Sequence, residues 1–152
     1  MASFTSSVRI ERPAEEVFAY ATDPTRFSEW QASATSGHVV GEPKVGATCV
    51  HVRRVQGGQR EAKSEITEYM PPTRWAVRGV DGPIRANVGV TVEALEPGAS
   101  RVTIELEFVG VGLMGVAMAP VVGWRGRQEM PGNMANLKRL LEGDHDSLSG
   151  GT

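Results

Sequence analysis

Apolar and polar residues alternate along much of this chain. The two clearest apolar rows are Ile84, Ala86, Val88, Val90 and Val92, and then Val102, Ile104, Leu106 and Phe108. Mostly polar or charged residues occupy the positions between them. Successive side chains of a strand point to opposite faces of a sheet. These segments therefore predict strands with one dry face and one solvated face.

Seven strands are predicted in all. Val8 and Ile10 mark the first strand, and the other six cover residues 33–40, 47–55, 60–70, 75–80, 84–95 and 101–109. The gaps between the later strands hold glycine or proline, which supply positive φ angles or interrupt a hydrogen-bond ladder. Connections this short favour an antiparallel meander.

Two short helices are predicted between the first and second strands. Pro13 and the pair Asp23-Pro24 are typical of helix starts, because proline is tolerated where the backbone N–H would have no partner. Phe27 and Trp30 lie three residues apart and give the second helix an apolar side. The chain therefore leaves the first strand, forms two helices and returns to strand.

A long helix is predicted to close the chain, from about Leu113 to Glu142. Pro120 and Pro131 each remove a backbone hydrogen bond, so a break or kink is expected near one or both. Residues 143–152 are rich in glycine, serine and charge and are predicted to form a disordered tail. Residues 1–142 are predicted to form one domain.

Composition narrows the possible environment and partners. The net charge of -2 gives no broad attraction to nucleic acid or anionic lipid, and short basic pairs such as Arg53-Arg54 are interpreted as solvated. A single cysteine, Cys49, rules out an internal disulfide, and the polar start lacks a signal-peptide core. We expect a cytoplasmic protein. The uncharged run 108–124 contains too many helix-breaking residues for stable membrane insertion.

Candidate catalytic chemistry is sparse. No phosphate loop, serine elbow, paired cysteines or metal-ligand spacing occurs, so no metal and no cofactor is expected. His38 and His51 are weak candidates for a general base. Residues of both parities around His51 are apolar, so the pattern leaves open which histidine points inward. A surface or structurally satisfied histidine remains the simpler interpretation.

Several large apolar residues could line a binding site. Tryptophan suits either a packed core or a pocket wall with one N–H donor, and methionine suits either a filler or an adaptable wall. The predicted ligand contacts are Phe27, Trp30, Trp75, Val77, Val88, Val90, Leu106, Phe108, Met114, Met118 and Trp124.

Several short motifs together resemble a known family. They are Arg12-Pro13-Ala14-Glu15-Glu16-Val17-Phe18, Asp23-Pro24, Phe27, Trp30, Val45-Gly46, Asn136-Leu137-Lys138 and Leu141-Glu142. Over residues 3–142 the chain is similar to the START/Bet v 1-like (SRPBCC) superfamily, in particular its bacterial polyketide cyclase/dehydratase and lipid-transport branch. The resemblance implies an α+β helix-grip fold, in which a curved antiparallel sheet of about seven strands wraps around a long C-terminal helix. It also implies an apolar tunnel between sheet and helix.

Three functions follow as hypotheses. The first is binding of a small hydrophobic molecule, such as a lipid or polyketide, in that internal cavity. The second is a cofactor-independent cyclase or dehydratase acting in the same cavity, with a histidine moving a proton. The third is a protein–protein interaction module that uses the uncharged start of the last helix. We expect a monomer or homodimer.

Overall fold

The structure, a computed structural model, describes residues 2–55 and 58–150. Its seven strands form one antiparallel sheet in the order β1-β7-β6-β5-β4-β3-β2. The strands are β1 Ala2–Ile10, β2 Ala34–Val39, β3 Thr48–Val55, β4 Gly58–Met70, β5 Arg74–Gly79, β6 Ile84–Glu96 and β7 Ala99–Gly110. Strands β2 to β7 follow one another as a meander, and β1 pairs with the last of them. The helix-grip prediction is confirmed.

Two short helices connect β1 to β2, as predicted. They are α1 (Ala14–Ala21) and α2 (Phe27–Trp30), with a 3-10 turn at Pro24–Arg26 directly before α2. The carboxylate of Asp23 accepts hydrogen bonds from the backbone N–H and the hydroxyl of Thr25, at 3.0 and 2.7 Å. This cap fixes the turn into α2.

The closing helix, α3, spans Gly112–Gly150. Helical structure is continuous through Pro120 and Pro131, so the chain does not break at either proline, and a kink there stays a prediction. The helix also extends beyond Glu142, where the sequence placed its end. Residues 151–152 lie outside the described part of the chain, and disorder of the segment 143–152 stays a prediction.

The burial of side chains changes along the inner face of the sheet, the face that carries the core. Val90 and Val92 on β6, and Val102 and Ile104 on β7, are all at most 3% exposed. Farther along the same inward rows, Val88, Leu106 and Phe108 are only half-buried. We call this second region the open end of the inner face. The apolar row therefore continues past the point where other elements cover it completely.

Glycines allow the first half of α3 to lie very close to the sheet. A Cβ on Gly115 would clash with the backbone carbonyl of Pro83, which already accepts a hydrogen bond from Val111 N at 2.8 Å. A Cβ on Gly126 would lie 2.8 Å from the ring of Phe108. The second half of α3 is anchored differently, through Leu137, which is 0% exposed.

Substitution of the two kinds of helical glycine should change stability in opposite directions. Gly115→Ala should lower the free energy of unfolding by at least about 1 kcal/mol, because a rigid backbone carbonyl occupies the space of the new methyl group. Gly132→Ala is the matched control, since nothing lies within 4 Å of its Cβ position. It should raise the free energy of unfolding by about 0.5–1 kcal/mol, the usual gain for alanine in a helix.

Urea denaturation at one temperature measures both changes. Equal effects of the two substitutions would contradict the close approach of α3 to the sheet.

Candidate functional site

Three aromatic residues form the base of the inner face. Phe27 on α2 contacts Trp30 and Trp75 edge-to-face, with ring centroids 6.0 and 6.2 Å apart. All three side chains are buried. Trp30 Nε1 is also buried and has no hydrogen-bond partner in the described part of the chain. These predicted contact residues therefore come together, but as a packed base.

An apolar wall continues from this base toward the open end. Val77 pairs across the sheet with Val88, which pairs with Leu106, which pairs with Phe4. Val77 is buried, whereas Val88 and Leu106 are half-buried. The predicted contact Val90 lies deeper, at 2% exposure, where it serves the core. Val88 and Leu106 are the wall residues that still expose part of their surface.

The inward row of β3 is polar. Cys49 pairs with Ser64 and is buried, and His51, two residues later, shares its face. His51 Nδ1 is buried without a hydrogen-bond partner among the described residues. The structure thus answers the question that parity left open. His51 points inward, whereas His38 is exposed on β2.

Burial lowers the pKa of His51 from its ordinary value of 6.5 to about 4. The charge of nearby Arg53 acts in the same direction, and Asp81 acts against it. The imidazole is therefore neutral at pH 7 and offers one donor and one acceptor nitrogen. Burial also raises the pKa of the Cys49 thiol to about 11, so this cysteine is a protonated, unreactive group.

Arg53 follows His51 on the same face and forms the centre of a polar cluster. Its guanidinium donates to Gln31 Oε1 at 2.7 Å and to Ser33 Oγ at 3.1 Å. Ser33 Oγ donates to Glu129 Oε2 at 3.2 Å, and Asn133 Nδ2 donates to the same oxygen at 2.6 Å. We call Arg53, Gln31, Ser33, Glu129 and Asn133 the arginine cluster. It connects β3 and the segment after α2 to the middle of α3.

The Glu129 carboxylate acts on the charge of Arg53 without a direct ion pair between the two groups. Burial lowers the pKa of Arg53, and the Glu129 carboxylate opposes this shift. A guanidinium keeps its proton under all ordinary conditions, so Arg53 is a partly buried cation on the inner face. It uses two of its nitrogens in the hydrogen bonds to Gln31 and Ser33.

The sequence interpretation missed this cluster. The sequence pattern indicates that Arg53 and Arg54 form a solvated pair, but only Arg54 is exposed. The usable signal was the shared parity of Cys49, His51 and Arg53. Glu129 and Asn133 lie four residues apart on α3, a spacing that places them on one helix face.

Three predicted contacts lie elsewhere. Met114, Met118 and Trp124 are 69, 40 and 63% exposed, on the side of α3 turned away from the sheet. Small side chains face the sheet instead, at Gly115, Ala119, Gly123 and Gly126. Because α3 approaches the sheet so closely, it has room there only for small residues. The structure does not bring the three large residues to the inner face.

Two cavities differ in character. One of about 580 Å³ lies on the outer face of the sheet, where Arg74 is bound by Glu68 and Glu105 at 3.1 and 3.0 Å. The other, about 300 Å³, lies between β1 and α3 and is lined by Phe4, Thr5, Ser6, Arg127, Met130 and Pro131. Its volume is at the lower limit of small-molecule sites. The charged outer groove suits an apolar molecule poorly.

The profile of the family described as polyketide cyclase / dehydrase and lipid transport matches residues 1–142. The chain belongs to this family. The match confirms the resemblance and agrees with the sheet order and the long closing helix. No curated protein sequence matches the chain.

Solved structures share the fold at low identity. The di-domain ARO/CYC BexL from the BE-7585A biosynthetic pathway is 14% identical, with a TM-score of 0.72 over 93% of this chain and 47% of that one. A START superfamily protein from Mycobacterium smegmatis is 12% identical, with a TM-score of 0.70 over 97% of this chain and 99% of that one. A protein from Deinococcus radiodurans is 18% identical, with a TM-score of 0.70 over 93 and 98% of the two chains.

These structures have different lengths. This chain spans about half of the di-domain protein but nearly all of the other two. At such identities the likeness shows a shared fold. Among the described residues, no helix is long and apolar enough to cross a membrane.

The buried state of His51 should appear in the pH dependence of stability. Its pKa is lower in the folded protein than in the unfolded chain, so the unfolded chain takes up a proton first as pH falls. His51 therefore supports the fold fully above about pH 6.5, and this contribution is lost as pH falls toward about 4. His51→Gln should have a flatter stability profile than wild type across that window.

Urea denaturation at several pH values measures the slope. The matched control is His38→Gln, which removes an exposed imidazole and leaves His51 in place. A His51→Gln profile parallel to that of wild type would show that His51 is not buried in its neutral form.

Proposed function

We propose that this protein binds a small hydrophobic molecule within its fold, at the open end of the inner face. The apolar body of the molecule lies against Val88, Leu106 and Phe108, and a polar or anionic group points toward His51 and Arg53. One observation carries the proposal: inward apolar side chains remain half-buried on the same sheet face that holds a partly buried cation and an unpartnered imidazole nitrogen.

Both the apolar and the polar end of such a molecule form favourable interactions in this arrangement. Removing apolar surface from water contributes roughly 25 cal/mol per Å², and the half-buried wall residues still have surface to cover. A carboxylate, sulfonate or enolate near Arg53 forms charge-assisted hydrogen bonds, which are about twice as strong as neutral ones. Neutral His51 supplies a further donor or acceptor. The arrangement therefore favours amphipathic ligands that carry one acidic or strongly polar end.

The chemistry of His51 favours binding over proton abstraction. A base with a pKa of about 4 has little affinity for a proton at neutral pH, so it is a poor general base in the unliganded protein. Cyclase or dehydratase activity is the second candidate function. The observation in its favour is Arg53 beside His51, because a fixed cation stabilises the negative charge that develops on an enolate oxygen.

Two fluorescent probes of similar aromatic size test the binding proposal. 8-Anilinonaphthalene-1-sulfonate carries an anion, and N-phenyl-1-naphthylamine does not. We expect both probes to bind. Arg53→Gln should weaken binding of the anionic probe on the order of tenfold and change binding of the neutral probe little. Arg54→Gln is the matched control, because Arg54 lies on the opposite, exposed side of the same strand.

A second variant separates the apolar wall from the charge. Leu106→Trp should fill the space at the open end and weaken the binding of both probes to a similar extent. Near-UV circular dichroism of each variant checks that the tertiary fold is intact. Failure of both probes to bind folded wild-type protein would contradict the proposal, as would equal losses in Arg53→Gln and Arg54→Gln.

The enzyme candidate has its own test. A synthetic poly-β-ketone chain should cyclise faster with wild-type protein than in buffer, and Arg53→Gln should remove that acceleration while Arg54→Gln keeps it. Absence of acceleration by wild-type protein would eliminate this candidate and leave the binding proposal unaffected.

A further inference from the structure

We propose that the exposed face of the first half of α3 docks onto an anionic lipid surface. This face carries Leu113, Met114, Ala117, Met118, Pro120, Val121 and Trp124, which we call the apolar ridge. Within the ridge, Leu113, Val121 and Trp124 are 94, 57 and 63% exposed. Ala117 lies between them on the sequence, and the spacing of three or four residues places all four side chains along one side of the helix.

The ridge is an unusual surface for a domain with a well-formed core. Most exposed large apolar residues of the described ranges lie on it or beside it, since Val80, Val111 and Val116 are also exposed at this end of the fold. A contiguous apolar surface of this kind marks a site of interaction. The opposite face of the helix already packs on the sheet through its small residues, so the ridge has no partner within the described chain.

The charges beside the ridge indicate which kind of partner it meets. No aspartate or glutamate occurs between Glu107 and Glu129, and Arg125 and Arg127 lie on the helix beside the ridge. Both arginines are exposed, and neither forms an ion pair with a described residue. Arg127 donates to the Ser3 carbonyl at 3.2 Å and lies over the Phe4 ring, so Arg125 is the main cation offered to a lipid headgroup. Apolar residues with a tryptophan, flanked by arginine, are typical of helices that lie in a membrane interface. The net charge of the whole chain conceals this local excess of positive charge.

A second copy of the chain fits the ridge less well. A two-fold contact through the same helix would bring the arginines of both copies together with no carboxylate of this helical segment to neutralise them. Like charges across an interface are unfavourable, whereas anionic lipid headgroups neutralise them. The helix would lie on the bilayer surface, consistent with the absence of a membrane-spanning helix among the described residues.

Vesicle flotation tests the proposal without any cargo. The wild-type protein should float with vesicles of equal parts phosphatidylcholine and phosphatidylglycerol, and bind pure phosphatidylcholine much more weakly. The emission of Trp124 should shift to shorter wavelength on binding, because Trp30 and Trp75 are already buried. Trp124→Ser should weaken vesicle binding at least about tenfold. Val45→Gln, which changes an exposed apolar residue outside the ridge, should bind as wild type does.

Charge variants complete the test. Arg125→Gln should weaken binding to the anionic vesicles about fivefold, the usual contribution of one basic residue near such a surface, and high salt should reduce that difference. Arg139→Gln on the second half of α3 is the matched control. Equal binding to neutral and anionic vesicles, or no binding to either, would overturn the proposal. So would a vesicle-independent dimer that Trp124→Ser converts to a monomer. All variants should still bind the neutral naphthylamine probe, which keeps this test separate from that of the internal site.

Discussion

The close approach of the first half of α3 to the sheet determines the rest of this structure. At Gly115 and Gly126 the helix lies so near to Pro83 and Phe108 that a single methyl group has no room. The large apolar residues of this half of the helix therefore face outward and form the ridge, while small residues face the sheet. On the inner face, Val88 and Leu106 stay half-buried.

The arginine cluster provides a second constraint, of opposite character. Hydrogen bonds from Arg53 to Ser33 and from Ser33 to Glu129 link β3 to the middle of α3. A half-buried cation that is hydrogen-bonded but not neutralised by a direct ion pair retains a strong preference for an anionic group nearby. The same cluster thus links α3 to the sheet and, in the proposed binding site, would favour a ligand with an anionic group. Replacement of Arg53 by an apolar residue should therefore be costly, because it removes the donor to Gln31 and Ser33.

The strands and turns could be predicted from the sequence because their signals are local, whereas the wrapping of the sheet around the last helix was implied by the family resemblance. Alternation with period two set the faces of β6 and β7, and glycine and proline marked the turns. The direction of His51 could not be predicted, because Val50 and Val52 make the opposite face of β3 equally apolar in sequence. Pairing with Ala62 and the burial of neighbouring Cys49 decide it in the structure.

The orientation of α3 shows a second feature that the sequence pattern could not predict. Its first half is apolar on all sides, so hydrophobic periodicity could not identify the face that meets the sheet. Met114, Met118 and Trp124 are predicted contacts because methionine and tryptophan suit a pocket wall, although a helix in close contact with a sheet needs small residues there. The spacing of Gly115, Ala119, Gly123 and Gly126 carried that information. Arg53 was missed for a related reason, since a charged residue within a strand is by default assigned to the solvated face.

Intermolecular nuclear Overhauser effects with the neutral probe N-phenyl-1-naphthylamine test the central claim most directly. The probe protons should show contacts to the methyl groups of Val88 and Leu106, on the inner face, in methyl-labelled protein. The methyl groups of Val116 and Val121, on the exposed side of α3, should show none. Contacts confined to Val116 and Val121, with none to Val88 or Leu106, would contradict a binding site between the sheet and the closing helix.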